Sequence, residues 1–206
     1  LTHIGTAEES NDQDAWVREH VAKQDASKAR DEARRIAAAK DAMGIPAVFR
    51  ELAEGQGLRQ TKSLLEVQRG SLILVLAGDV GRGKTVAASW WLLQAVAQRQ
   101  PLFVSAARLS RWDRYDRGEM DRLLLASRLV IDDLGEEFND TKGNFLAVLD
   151  ETISDRVANR RPTVITTNLS LEDFTERYGI RIRDRIREAG RWHSFAGPSM
   201  RGKAAE

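Results

Sequence analysis

Eight consecutive residues constrain this chain more than any others. Residues 78–85, GDVGRGKT, fit the phosphate-cradling pattern G-x-x-x-x-G-K-S/T without gap or substitution. Before them, Leu72 to Leu76 is an unbroken apolar run, the pattern of a strand buried on both faces. After them, residues 86–97 carry helix formers and apolar residues. Strand, glycine-rich loop and helix are the context the pattern needs. The glycines let the main chain from Gly78 through Asp79, Val80, Gly81, Arg82 and Gly83 turn its N–H groups onto phosphate oxygens. The start of the following helix, through Val86, adds free amides and a positive dipole end. Lys84 then reaches the β- and γ-phosphates, and the Thr85 hydroxyl ligates Mg²⁺. The motif predicts a site for ATP or a similar nucleoside triphosphate.

Two more apolar runs end in polar groups suited to that site. The run 128–135 carries Asp132 and Asp133 at its end, the Walker B arrangement. Asp132 is expected to hold Mg²⁺ through water, and Asp133 to orient or deprotonate the attacking water. Acidic residues at strand ends are common; what gives this pair meaning is a full phosphate loop about fifty residues upstream. Many such ATPases carry Glu at the second position, and the shorter Asp133 bears on the rate of hydrolysis. The run 163–168 ends in Asn168, placed to bridge the γ-phosphate and the attacking water, or else simply to form a turn. Residues 101–105 make a further short strand and 144–159 a helix. Strands alternating with helices predict an α/β, three-layer fold with a parallel sheet and ligands at the carboxyl ends of its strands.

The 206 residues contain no cysteine, which excludes a disulfide framework and thiolate metal sites. The histidines His3, His20 and His193 are scattered. No secretory signal or membrane-length apolar run is seen, and the expected location is cytoplasmic. A net charge of +1 requires any basic surface to be local.

Ahead of the loop, residues 12–42 read as one helix, capped by Asn11 or Asp12 and stopped by Gly44 and Pro46. Its stripe of Ala22, Ala26, Ala29, Ala33 and Ala37 buries too little area to form a core alone. Trp16, Val17 and Val21 give it a small apolar patch. We divide the chain into an N-terminal helical arm, 1–43, and an ATPase domain, 44–206; the arm either docks on a partner or lies on its own domain. Residues 45–49 break the helical pattern, and a polar stretch follows.

Arg108, Arg111, Arg114 and Arg117 recur every third residue, with Trp112 and Tyr115 between them. Interleaved cations and rings suit single-stranded nucleic acid, the arginines tracking phosphates while the rings stack on bases. The same residues also fit a solvated helix in which the arginines pair with Asp113, Asp116 and Asp121.

In order, GDVGRGKT, LVIDDLG, RPTVITTNLS and YGIRIRDRI resemble the DnaC/IstB branch of the AAA+ ATPases over about residues 44–203. That branch holds helicase loaders and ATP-dependent helpers of transposases. The resemblance implies a P-loop AAA+ fold, Mg²⁺-dependent ATP hydrolysis, and rings or spirals with ATP between subunits. Residue by residue, Ile45 and Phe49 resemble the adenine-pocket lining, and Asn168 the sensor-1 residue. Arg181 resembles the arginine finger that reaches a neighbour's γ-phosphate, with Arg185 as fallback. Arg201 resembles the sensor-2 arginine. It also places the segment after the second strand, with Arg108, Arg111, Trp112, Arg114 and Tyr115, toward a central DNA channel; Lys142 is a weaker contact. No separate lid domain is expected. The function implied is loading of a replicative, DnaB-like helicase onto single-stranded DNA, the helicase held through residues 12–43. The alternatives are an IstB-like transposition helper and a nucleotide-gated adaptor or inhibitor with little turnover.

Overall fold

The structure, a computed structural model, describes residues 7–55, 70–111, 117–138, 144–196 and 199, with residues 7–15 described by backbone alone. The chain divides into two compact units, with the boundary between Ala39 and Lys40. The first holds most of α1 (Ala7–Ala42), where Trp16, Val17 and Val21 are exposed and the Trp16 and His20 rings stack at 3.9 Å.

In the second unit five strands form one parallel sheet: β1 (Ile73–Ala77), β2 (Leu102–Ser105), β3 (Leu129–Leu134), β4 (Thr163–Thr167) and β5 (Gly190–Ser194). Their order is β2-β3-β4-β1-β5, so the strand feeding the phosphate loop lies between β4 and β5. The same unit holds α2 (Ala47–Gly55), α3 (Lys84–Leu93), α4 (Ala106–Leu109), α5 (Arg117–Leu125), α6 (Asn144–Ala158) and α7 (Leu171–Ala189).

Strand alternation builds the three layers. Ile73 and Val75 pack with Ile131, Phe145, Leu149, Phe174 and Ile182 in one core, which receives α4 to α7. Leu74 and Leu76 face the other, with Met43, Ile45, Trp91 and Val130, where α2 and α3 lie. Burial on both faces is why β1 reads as an unbroken apolar run, and why Leu129, Val130 and Ile131 of β3 and Val164 and Ile165 of β4 are apolar in succession. Among the described residues, no helix is long and apolar enough to cross a membrane.

Several boundaries differ from the sequence expectation. Helix α1 begins at Ala7, through the expected caps Asn11 and Asp12. Polar residues that often cap are here carried inside the helix. Helix α3 ends at Leu93 rather than near Ala97; the N–H groups of Ala95, Val96 and Gln98 bond three residues back, a tighter turn. Residues 45–49 do not simply break the chain. Pro46 directly precedes α2, its carbonyl accepting from Phe49 and Arg50 at 3.0 and 3.1 Å, and its missing N–H costs nothing at a helix start.

Candidate nucleotide site

All the polar strand ends meet at one edge of the sheet. Gly78, at φ 144°, leaves β1 beside Phe195; a Cβ there would stand 2.7 Å from the Phe195 carbonyl oxygen. That close approach carries the chain beyond β5 past the loop, where Phe195 N–H donates to Ala77 O at 2.7 Å. At the other end of the loop Gly83, in the left-handed region, directly precedes Lys84 and the first turn of α3.

Lys84 is 5% exposed, and its ammonium donates to Gly78 O at 2.5 Å, Asp79 O at 2.8 Å and Asn168 Oδ1 at 2.8 Å. It therefore closes the loop on itself and ties it to the end of β4. Arg82 pairs with Asp79 at 2.8 Å across the loop, and Val80 is exposed at its tip.

Asp132 is buried at the end of β3 and accepts from the Thr166 hydroxyl at 2.7 Å and from the Thr85 hydroxyl. Burial pushes its carboxyl up to about 6, Asp133 adding to the rise while the two hydroxyls and Lys84 oppose it. Such a desolvated carboxylate beside a threonine hydroxyl is a donor set for a hard divalent cation that keeps most of its ligands as water and phosphate oxygen. Mg²⁺ fits here. Among the described residues no cluster of three or more His, Asp or Glu side chains offers a metal site.

Asp133 adopts a left-handed φ of 54°, and the β3–β4 ladder shifts register between Ile131 and Leu134. A bulge of this kind re-aims a side chain at a strand end. Thr166 holds it: the hydroxyl that donates to Asp132 accepts the Asp133 N–H at 2.9 Å. Thr166 thus positions both acidic residues, a role invisible in the run TVITTN because it depends on the β3–β4 register. Glu137, buried just beyond β3, is likewise unmarked by any sequence pattern.

Of the adenine-pocket candidates, Ile45 is buried in the core and Phe49 half-buried against it. The two finger candidates separate clearly. The Arg181 side chain is 72% exposed, touching the rim carboxylate of Asp150 at 3.3 Å. Arg185 is held by Asp150 and Ser154. Arg183 and Arg187 both pair with Asp184. Of the nucleic-acid candidates, Arg108 and Arg111 are exposed, and the Arg111 guanidinium lies 4.7 Å over the ring of Phe138, itself exposed. Trp112, Arg114, Tyr115, Lys142 and Arg201 lie outside the described residues.

A parallel sheet in this order, with a phosphate loop after β1 and acidic residues at the end of β3, is the architecture of a P-loop NTPase. More narrowly it is the fold of the AAA+ P-loop ATPases. The solved structure of DnaI aligns with a TM-score of 0.57 at 19% identity, over 72% of this chain and 89% of DnaI. The DnaC helicase loader aligns with 0.54 at 23% identity, over 68% of this chain and 92% of that one. AMPPCP-bound DnaA from Aquifex aeolicus aligns with 0.57 at 15% identity, over 71% of this chain and 49% of DnaA. No protein-family model and no curated protein sequence matches the chain.

Proposed function

We propose that this chain is a Mg²⁺-dependent ATPase of the AAA+ type that loads a replicative helicase onto single-stranded DNA. The observation that carries the reading is the convergence of Lys84, Thr85, Asp132 and Asn168 at one sheet edge, joined by hydrogen bonds. The fold shared with a helicase loader over nine-tenths of that loader's length supports the biological role.

In this reading Lys84 exchanges a carbonyl partner for the β- and γ-phosphates of ATP. Thr85 and Asp132 would hold Mg²⁺, which supplies positive charge to the phosphate oxygens. Asp133 takes a proton from water as its oxygen attacks the γ-phosphorus, and the bond to the bridging oxygen of ADP breaks. Asn168 holds that water in line, and the exposed Arg181 reaches the γ-phosphate of a neighbouring subunit. A fixed, planar guanidinium suits the equatorial oxygens of the transferring group. ATP would then join subunits in a ring or spiral, residues 106–117 would face the DNA, and the arm, 1–43, would grip a DnaB-like helicase in the cytoplasm.

ATP turnover, with no DNA, with single strands and with duplex, alongside the mass of the protein in each state, tests the reading. Stimulation by single strands with ATP-dependent assembly is the expected result. Stimulation by duplex alone would replace it with a transposition helper, and a monomer that binds ATP but ignores both DNAs would leave an adaptor. Arg181→Ala is expected to keep ATP binding and lose turnover by about a thousandfold; normal turnover would remove the finger assignment.

A further inference from the structure

Glu137 has no part in the chemistry above, yet it is the most heavily bonded carboxylate near the site. It is buried, and it joins two elements. One oxygen accepts the N–H of Gly135 at 2.8 Å, directly after β3. The other accepts from Arg177 Nε and from the Tyr178 hydroxyl, both at 2.7 Å. Tyr178 is itself fixed in the core by the rings of Phe174 and Phe145.

The position of this clamp on α7 is informative. Gly179 follows Tyr178 at φ 84° and ψ 158°, outside helical values, so α7 is two helical segments meeting at a kink. Arg181 stands just beyond the kink with most of its side chain in solvent. Apart from its ion pair with Asp150 at 3.3 Å, a side chain that exposed takes its direction from the helix that carries it. The segment before the kink is held by Glu137, and the Gly135 loop that Glu137 also holds is packed so closely on Leu169 that a Cβ at Gly135 would come within 3.2 Å of it. A buried carboxyl group that accepts from three donors, one of them a guanidinium, is the strong kind of hydrogen-bonded junction.

We infer that Glu137 is a positioning residue: it anchors the start of the α7 kink to the end of β3 and thereby sets the direction of Arg181. This rests on the proposed role of Arg181, and it goes further in naming what places that arginine and from where. A misplacement of about 1 Å at a reacting centre costs up to about a hundredfold in rate, so the clamp acts on turnover in the adjoining subunit and not on ATP affinity in its own.

The test uses the full chain, with Glu137→Gln and with Tyr178→Phe, which removes a single hydroxyl and keeps the packing. Turnover and ATP affinity are measured for each variant alone and mixed in equal amounts with Lys84→Ala, which keeps Arg181 but lacks the phosphate-binding ammonium. Expected alone is a loss of about tenfold or more in kcat with ATP affinity within about twofold of the parent. In the mixture about a quarter of the head-to-tail junctions pair an intact ATP site with an intact arginine, and turnover rises accordingly. Unchanged kcat in Tyr178→Phe and Glu137→Gln overturns the inference. So does a mixture no faster than the variant alone, which would place the effect in the variant's own site or in its folding. A parent protein that neither assembles nor turns over ATP would overturn the functional reading first, and this inference with it.

Discussion

The two ends of the sheet each bury a charge, and they treat it in opposite ways. At the amino ends of the strands Arg156 is 1% exposed, and its guanidinium donates to the Thr163 hydroxyl and to the carbonyls of Leu123, Ala126 and Pro162, each at 2.8 Å. Burial pulls its pKa down to about 9, so it stays protonated at neutral pH. At the carboxyl ends Asp132 is nearly as buried, but burial outweighs its hydrogen bonds and carries its pKa up to about 6. Arg156 finds its acceptors in the chain itself, pinning the turns before β3 and β4. Asp132 is incompletely compensated, the condition of a group that meets a cation from solution. One end of the sheet compensates its buried charge within the chain, and the other leaves it only partly compensated.

Four measurements bear on that contrast. The largest effect is expected from Lys84→Ala, which removes the ammonium linking the loop to Asn168 and should abolish ATP binding in calorimetric titration while the fold persists. Retained binding would mean that Lys84 only braces the loop.

Next is Arg156→Ala. It takes the donor from the buried carbonyls of Leu123 and Ala126 at about 1–3 kcal/mol each, while Pro162 O keeps the Leu129 N–H at 3.2 Å, and a loss of about 3 kcal/mol in urea unfolding is expected, with ATP affinity of the folded fraction unchanged. A loss under about 1 kcal/mol would show that water takes over those carbonyls.

Asp132→Asn tests the other end. Its folded pKa, about 6, lies above the ordinary value of 3.8, so the folded state holds the proton more tightly. Its contribution to stability is therefore full below about pH 4 and is lost as pH rises toward about 6. Without nucleotide and Mg²⁺, Asp132→Asn should lose that part of the slope and be more stable at pH 7 by about 3 kcal/mol. Parallel curves for the two proteins would place the titration elsewhere.

Smallest are the effects on stability from the two arginines of α7. Arg185→Ala breaks bonds to Asp150 and Ser154 and should cost about 1 kcal/mol, whereas the exposed Arg181→Ala should cost less than about 0.5 kcal/mol while removing turnover. Equal costs in thermal unfolding would undo the distinction between structural and outward-reaching arginine.

Much of the fold and of the site is legible in the chain alone. The run 78–85 carries its pattern within eight consecutive residues, so glycine spacing and a flanking apolar strand are enough to identify it, although its partners Asn168 and Phe195 are distant in sequence. Strands buried on both faces announce themselves by composition, and Asp132 and Asn168 are readable as strand ends. Helix ends are less legible, because Asn and Asp cap some helices and sit inside others, and here α1 begins at Ala7 and runs through Asn11 and Asp12. Neither Thr166 nor Glu137 carries a signal: a threonine in a strand and an acid in a loop are ordinary until their partners are known.

The class of site and the layered sheet that holds it are thus written into the residue order, because periodicity and phosphate-loop spacing depend on contacts within a few residues. Which polar atoms meet is a matter of tertiary packing: Lys84 with Asn168, Thr166 with both acidic residues of β3, Glu137 with Tyr178, and Asp150 with Arg185 more closely than with Arg181. The Thr166 pairings rest on the β3–β4 register, and the pairings of Arg181 and Arg185 with Asp150 on the helix segment beyond the kink at Gly179; both are set when distant segments pack, and a one-residue slip of register would turn the strand's side chains to the other face.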